Sequence, residues 1–159
     1  MTTLVPIADQ IGEERRRYAT RELEVRLHQR SFRERVLRAY RTQCAICRLK
    51  HRELLDAAHI VGDREGGEPR VPNGLSLCKL HHAAFDKYFI GVRPDGLIEV
   101  RRDILEEHDG PMLRHGLKRL HQTRIYRPRS KANKPDPELL EYRYTRFVRA
   151  AGNAPLSAP

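Results

Sequence analysis

Tryptophan is absent from this chain of 159 residues, which has only three cysteines and two methionines, and aromatic residues make up just 6% of it. With 33% charged residues and a mean hydropathy of -0.70, little apolar material is left for a core, so a staple is expected. The odd cysteine count argues against a disulfide framework of the secreted kind; it leaves the thiols for metal ligation and points to a reducing, cytoplasmic compartment. No run approaches the roughly 18 apolar residues of a membrane span. The start, Met1-Thr2-Thr3-Leu4-Val5-Pro6, lacks the basic-then-apolar pattern of a signal peptide. The expectation is one soluble protein with no membrane partner.

What the chain has in quantity is basic charge, a net +10. Its distribution is uneven. Residues 1–43 carry ten basic and six acidic side chains, residues 44–100 eight of each, and residues 101–159 thirteen and seven. A neutral centre between basic flanks suits flanks that grip a polyanion and a centre that keeps its carboxylates for a metal.

Residues 1–12 show no periodicity and read as a loose start. From Glu13 to Arg30 the alternation of Leu23, Val25 and Leu27 with charged residues resembles a strand, but the composition favours helix. Ser31-Phe32-Arg33-Glu34 has the form of a capping box, predicting a helix from Ser31 to about Thr42 with Phe32, Val36, Leu37 and Tyr40 on one face. Residues 54–61 then predict a strand, 62–69 a polar loop, 75–77 a second strand, and 79–88 a helix. A hairpin over 89–100, turning at Pro94-Asp95-Gly96, and short helices at 104–107 and 112–120 follow. Asp136-Pro137 starts a last amphipathic helix carrying Leu139, Leu140, Tyr144 and Phe147. The organisation expected is a basic, partly helical extension over 1–30, a core over 31–100, a basic helical region over 101–150 and a disordered tail over 151–159.

All three cysteines fall in one frame: Cys44-Ala-Ile-Cys47, thirty residues, then Cys78-Lys-Leu-His81-His82. Paired knuckles of this spacing deliver two ligands each, so Cys44, Cys47, Cys78 and His81 fit a tetrahedral structural zinc; His82 competes with His81, but the two-residue gap favours His81. His82 and Asp86, four apart on a helix, share a face suited to a divalent cation. His59, on the neighbouring strand, can take a proton from water as neutral imidazole. Asn73-Gly74 is also a strong turn dipeptide.

Ala58-His59-Ile60, Asn73-Gly74-Leu75 and Leu77-Cys78-Lys79-Leu80-His81-His82-Ala83-Ala84-Phe85-Asp86 together resemble the signature of HNH endonucleases, most closely the HNH domains of bacterial restriction-type enzymes. The resemblance runs from about Phe32 to Val100. It implies an α+β fold: a small ββα-metal core stapled by zinc and flanked by N- and C-terminal helices. It also implies hydrolysis of DNA phosphodiester bonds, with restriction of foreign or modified DNA as the setting. By it His59 is the general base, Asn73 orients the His59 loop, and His82 binds a catalytic Mg, Mn or similar ion. Many members place a metal ligand immediately before the base, where this chain has Ala58; Asp86 takes that role first and Asp56, about 6.6 Å further along a regular strand at roughly 3.3 Å per residue, ranks lower. A separate reader domain commonly precedes such nucleases and the short start leaves no room for one, so a homodimer or a separate reader domain or subunit stays open. The alternative is a non-catalytic zinc-stabilised module that binds nucleic acid.

Overall fold

The computed structural model describes residues 7–108 and 110–152. Contacts divide the chain into two units, Met1–Ser31 and Phe32–Pro159. Helix α1 spans Ile7–Ala39, and every side chain from Glu13 to Ser31 is exposed. Two expectations are corrected here. Residues 7–12 are helical rather than a loose start, and Ser31 lies inside a helix instead of capping one. No glycine or proline interrupts residues 13–39, and Glu13–Arg17 and Glu22–Arg26 pair one turn apart at 3.8 and 2.7 Å. The amides that a cap at Ser31 would satisfy lie in mid-helix, where carbonyls one turn back serve them. Residues 1–6 and 153–159 lie outside the described residues; Ala151 and Gly152, expected in the tail, belong to a helix.

The second unit begins with the last turns of α1. Phe32, Val36, Leu37 and Tyr40 are buried, as their spacing of four, one and three residues dictates for one helical face. The helix stops because Arg41 and Thr42 take left-handed φ values of 57° and 51°, with the Thr42 N–H donating to the Leu37 carbonyl at 2.8 Å. Burial pushes the Tyr40 phenol above its ordinary pKa, against the opposing charge of Arg127. It therefore stays a donor, and its hydroxyl bonds the Gly74 carbonyl at 3.2 Å.

Strands β1 (Leu55–His59) and β2 (Gly74–Cys78) pair antiparallel, from Leu55 opposite Cys78 to His59 opposite Gly74. Helix α2 (Lys79–Asp86) follows β2 without a loop. A Cβ on Gly74 would stand 2.6 Å from Val36 Cγ2, so glycine lets β2 rest on α1. A second antiparallel pair, β3 (Ile90–Val92) and β4 (Ile98–Val100), turns at the expected Pro94-Asp95-Gly96, with Gly96 at φ +87°. Short helices α3 (Arg102–Glu106) and α4 (Pro111–Gly116) lead on to α5 (Pro137–Gly152).

The start of α5 is as its sequence requires: the Asp136 carboxylate accepts the Glu138 N–H at 2.9 Å, with Pro137 as first residue. Leu140 and Phe147 are buried, and the Tyr144 hydroxyl donates to Glu99 at 2.7 Å. A Cβ on Gly91 of β3 would lie 2.4 Å from the Phe147 ring, so α5 packs on bare backbone. The fold is α+β, a ββα core with a second hairpin and flanking helices. Among the described residues no helix is long and apolar enough to cross a membrane.

Candidate metal centre and active-site cleft

Cys44 and Cys47 sit on the turn between α1 and β1. The Cys44 N–H donates to the Leu49 carbonyl at 2.9 Å, the Arg48 N–H to the Cys44 carbonyl at 3.0 Å, and the Cys47 N–H points at Cys44 Sγ at 3.5 Å. Arg48 turns the chain at φ 67°. The second pair comes from the junction of β2 and α2, where Cys78 precedes the helix and His81 lies in its first turn. The four ligand atoms all lie within 4.8 Å of one another. Individual edges are 3.9 Å for Cys47–Cys78, 3.6 Å for Cys44–His81 and 3.2 Å for Cys78–His81. A tetrahedral zinc with ordinary bond lengths demands about 3.8 Å between two thiolates and about 3.6 Å between thiolate and imidazole. The donor set therefore fits a metal of that kind.

The imidazole of His81 is oriented for ligation. Its Nδ1 faces the sulfurs while Nε2 donates to the Gly116 carbonyl at 2.6 Å, the outer hydrogen bond that fixes a ligating tautomer. Hydrogen bonds from Cys47 and Cys78 lower the Cys44 pKa against its burial, so the cluster already favours a thiolate there.

On the far side of α2 lies an open cleft of about 680 Å³ lined by His59, Asp63, Arg64, His82, Asp86 and Arg143 among others. His59 ends β1 and stacks on Phe32, with ring centroids 4.2 Å apart and planes 18° from parallel. Its Nε2 has no hydrogen-bond partner, and Asp63 Oδ1 stands 3.7 Å away. Burial lowers the His59 pKa, Asp63 works against this, and His82 adds to it, so the ring is neutral at pH 7.

His82 is flanked by two carboxylates: Nε2 is 3.3 Å from Asp86 Oδ2 and Nδ1 is 3.4 Å from Asp56 Oδ2. Two ligands on adjacent corners of an octahedral Mg lie about 3.0 Å apart, close to the His82–Asp86 distance. The hydrogen bond to Asp86 raises the His82 pKa against its burial, with Asp56 contributing in the same direction. Burial opposes ionisation of Asp86 and Asp56, but His82 for the first and Lys79 for the second more than offset it, holding both carboxyls below the usual range.

Asn73 lies fully buried at the entry to β2. Its Oδ1 accepts the Val61 N–H, and its Nδ2 donates to the carbonyls of Val61 and Glu68, each at 2.9 Å. The Ile60 N–H also bonds the Asn73 carbonyl at 2.9 Å, so the backbone just after His59 is pinned from both sides. Replacing Asn73 by Ala strips partners from three main-chain groups and is expected to cost about 2–4 kcal/mol. Urea unfolding measures this; a loss below about 1 kcal/mol would mean that water replaces the amide without penalty.

One residue near His82 is ranked low in the sequence and one residue of the cleft is not named in it. Asp56 ranks below Asp86 on strand spacing alone, yet its carboxylate reaches His82 because β1 lies against α2. The signal is only the side-chain length that a Cα spacing ignores. Arg143 comes from α5, 58 positions from its partner Phe85. Its one signal in the sequence is a basic residue on the apolar stripe between Leu140 and Phe147.

Ala58 is wholly buried in the core.

This assembly, two Cys/His knuckles around a ββα unit with a histidine-carboxylate cleft on the other face of its helix, agrees with the family comparison. Residues 44–93 match the model of a family described as HNH endonuclease. Among solved structures the chain is similar to a modification-dependent TagI restriction endonuclease, with a TM-score of 0.54 and 17% sequence identity. The similarity covers 80% of this chain and 40% of that one, and at this identity it speaks for the fold. No curated protein matches the sequence.

Proposed function

We propose that this protein is a metal-dependent endonuclease that hydrolyses DNA phosphodiester bonds, in the cytoplasm, as part of the restriction of foreign or modified DNA. The observation that carries the reading is the meeting of a neutral His59 with His82 and Asp86 on one cleft inside the HNH stretch. The modification-dependent restriction named for the TagI structure supports the choice of setting.

Cys44, Cys47, Cys78 and His81 hold a structural zinc that ties the α1–β1 turn to α2. His59 accepts a proton from the attacking water. Asn73 keeps the His59 loop in place through its bonds to Val61 and Glu68. His82 and Asp86 hold a divalent ion such as Mg or Mn, which supplies Lewis-acid stabilisation of charge on the scissile phosphate and leaving oxygen. Asp56 accepts from His82 Nδ1 and so keeps Nε2 turned toward Asp86. The basic stretches 1–30 and 101–150 bind the DNA backbone through their Lys and Arg side chains. One cleft cuts one strand per encounter, so a double-strand break calls for a second copy or a second visit.

A plasmid-cleavage screen crossing divalent ion with DNA modification state tests this reading. Conversion of supercoiled plasmid to nicked or linear form is expected. Salt-sensitive binding without any cleavage would replace the reading with a non-catalytic zinc-stabilised nucleic-acid module, for which Ala58 in the usual ligand position is the supporting feature.

The pH profile has a defined sign. Burial depresses the His59 pKa below its ordinary 6.5, and a cation held beside it lowers it further. The base form is therefore gained as pH rises through a value below 6.5, and the acid limb of the cleavage profile is expected there. The same depression means that folding stability from His59 is present above 6.5 and lost as pH falls below it, since the unfolded ring then binds the proton more readily. An acid limb centred above pH 7 would assign the essential base elsewhere.

A further inference from the structure

Leu140, Arg143 and Phe147 follow one another at three- and four-residue spacing, which places them on one face of α5. Leu140 and Phe147 enter the core. Arg143, its side chain 11% exposed, instead reaches the wall of the cleft that His59, His82 and Asp86 also line. A cation on the buried stripe of an amphipathic helix is costly unless something holds it.

Two aromatic rings and a carbonyl hold it, and one carboxylate pairs with it only at long range. The guanidinium carbon lies 4.6 Å from the Phe85 ring centroid and 4.4 Å from that of Tyr88. Nη2 donates to the Phe85 carbonyl at 2.8 Å. The nearest carboxylate oxygen, Asp86 Oδ1, stands at 4.0 Å, beyond hydrogen-bonding reach. The Nε–H is buried with no hydrogen-bond partner. Tyr88 adopts a left-handed φ of 58°, rare for a residue with a side chain, and its ring forms part of the cradle. The result is a desolvated, pre-oriented guanidinium on the wall of the cleft, with donor capacity that the protein leaves unused.

Resting on the nuclease reading above, we infer that Arg143 is a further catalytic residue whose guanidinium binds the non-bridging oxygens of the scissile phosphate. As the water oxygen bonds to phosphorus, its proton passes to His59. The phosphorus–O3′ bond then breaks and the departing oxygen takes a proton from solvent. Negative charge on the non-bridging oxygens grows along this path, and a planar fork of N–H donors answers it better than a point charge does.

The test uses the full chain with Arg143→Met and Arg143→Lys, each checked by thermal melting. The Met variant is expected to stay folded but melt below wild type, since it loses the bond to the Phe85 carbonyl, and to lower single-turnover cleavage about 10²-fold or more. In a His59→Ala background, where DNA survives the assay, the slope of log affinity against log salt should fall by about 0.9 for Met and stay unchanged for Lys. The Lys variant should still lose about 10-fold in rate, because a single ammonium cannot replace the fork.

Wild-type cleavage by Arg143→Lys overturns the inference, and it does so even if Arg143→Met fails to fold. A slower Met variant with an unchanged salt slope also overturns it, reducing Arg143 to the docking of α5. If wild type itself leaves every DNA intact, the nuclease reading fails and this inference with it; wild-type cleavage with unaffected variants sinks the inference alone.

Discussion

Replacing His59 by alanine is expected to slow DNA cleavage by about 10²–10⁴-fold, the range that a positioned general base contributes. Among the described residues of the cleft, no other imidazole is free to take its place. His82 has a carboxylate beside each ring nitrogen, so neither nitrogen is free to take a proton from an attacking water, and the His82–Asp86 pair suits a cation. The change should leave the fold intact, because His59 is partly exposed at the end of β1 and its loss removes one ring stack, on Phe32. That stack is worth about 0.5–1.5 kcal/mol. Melting curves and bound-metal content should therefore match wild type while single-turnover rates fall. Equal rates in the two proteins would remove His59 from the chemistry.

Cys78→Ser, or exposure to a strong chelator, is expected to abolish cooperative folding at room temperature. Apparent binding free energies for structural zinc in small finger peptides run to about 10–16 kcal/mol, as large as the whole stability of an ordinary domain at about 5–15 kcal/mol. Here the ion would join the α1–β1 turn to the β2–α2 junction in a unit whose sheets are two-stranded, too small to stand without packing partners. His81 extends the effect, because its Nε2 also secures the Gly116 carbonyl at the end of α4. Metal release followed by a chromogenic chelator, read alongside circular dichroism, would show both events together. A native melt in a metal-free protein would demote the cluster to four neighbouring side chains.

How much of this is legible in the sequence depends on how far apart the interacting residues lie. The knuckles can be read because two ligands three positions apart need only a turn to converge, and the Asp136-Pro137 start of α5 can be read because a cap is a local hydrogen bond. The ββα order follows from short strands flanking a polar loop. Ser31 misleads because the same local pattern occurs where the helix simply continues through it. Asp56 ranks low and Arg143 is missed because their approach to His82 and Asp86 depends on how β1 and α5 pack on α2, which no window of a few residues contains.

Successive positions on a helix are rotated by about 100°, and α2 uses that rotation to serve two sites: His81 faces the sulfurs, and His82 and Asp86 the cleft. This makes the length of α2 itself invariant under mutation. Deleting Ala83 would preserve both histidines yet swing Asp86 a hundred degrees away from His82, and inserting a residue after Cys78 would bring Leu80 to the position from which His81 meets the sulfurs. The polar loop over residues 62–70 carries no such phase between its ends. Random insertions and deletions should therefore survive selection for cleavage in that loop, away from the glycines and the Glu68 carbonyl, and be eliminated between Cys78 and Asp86.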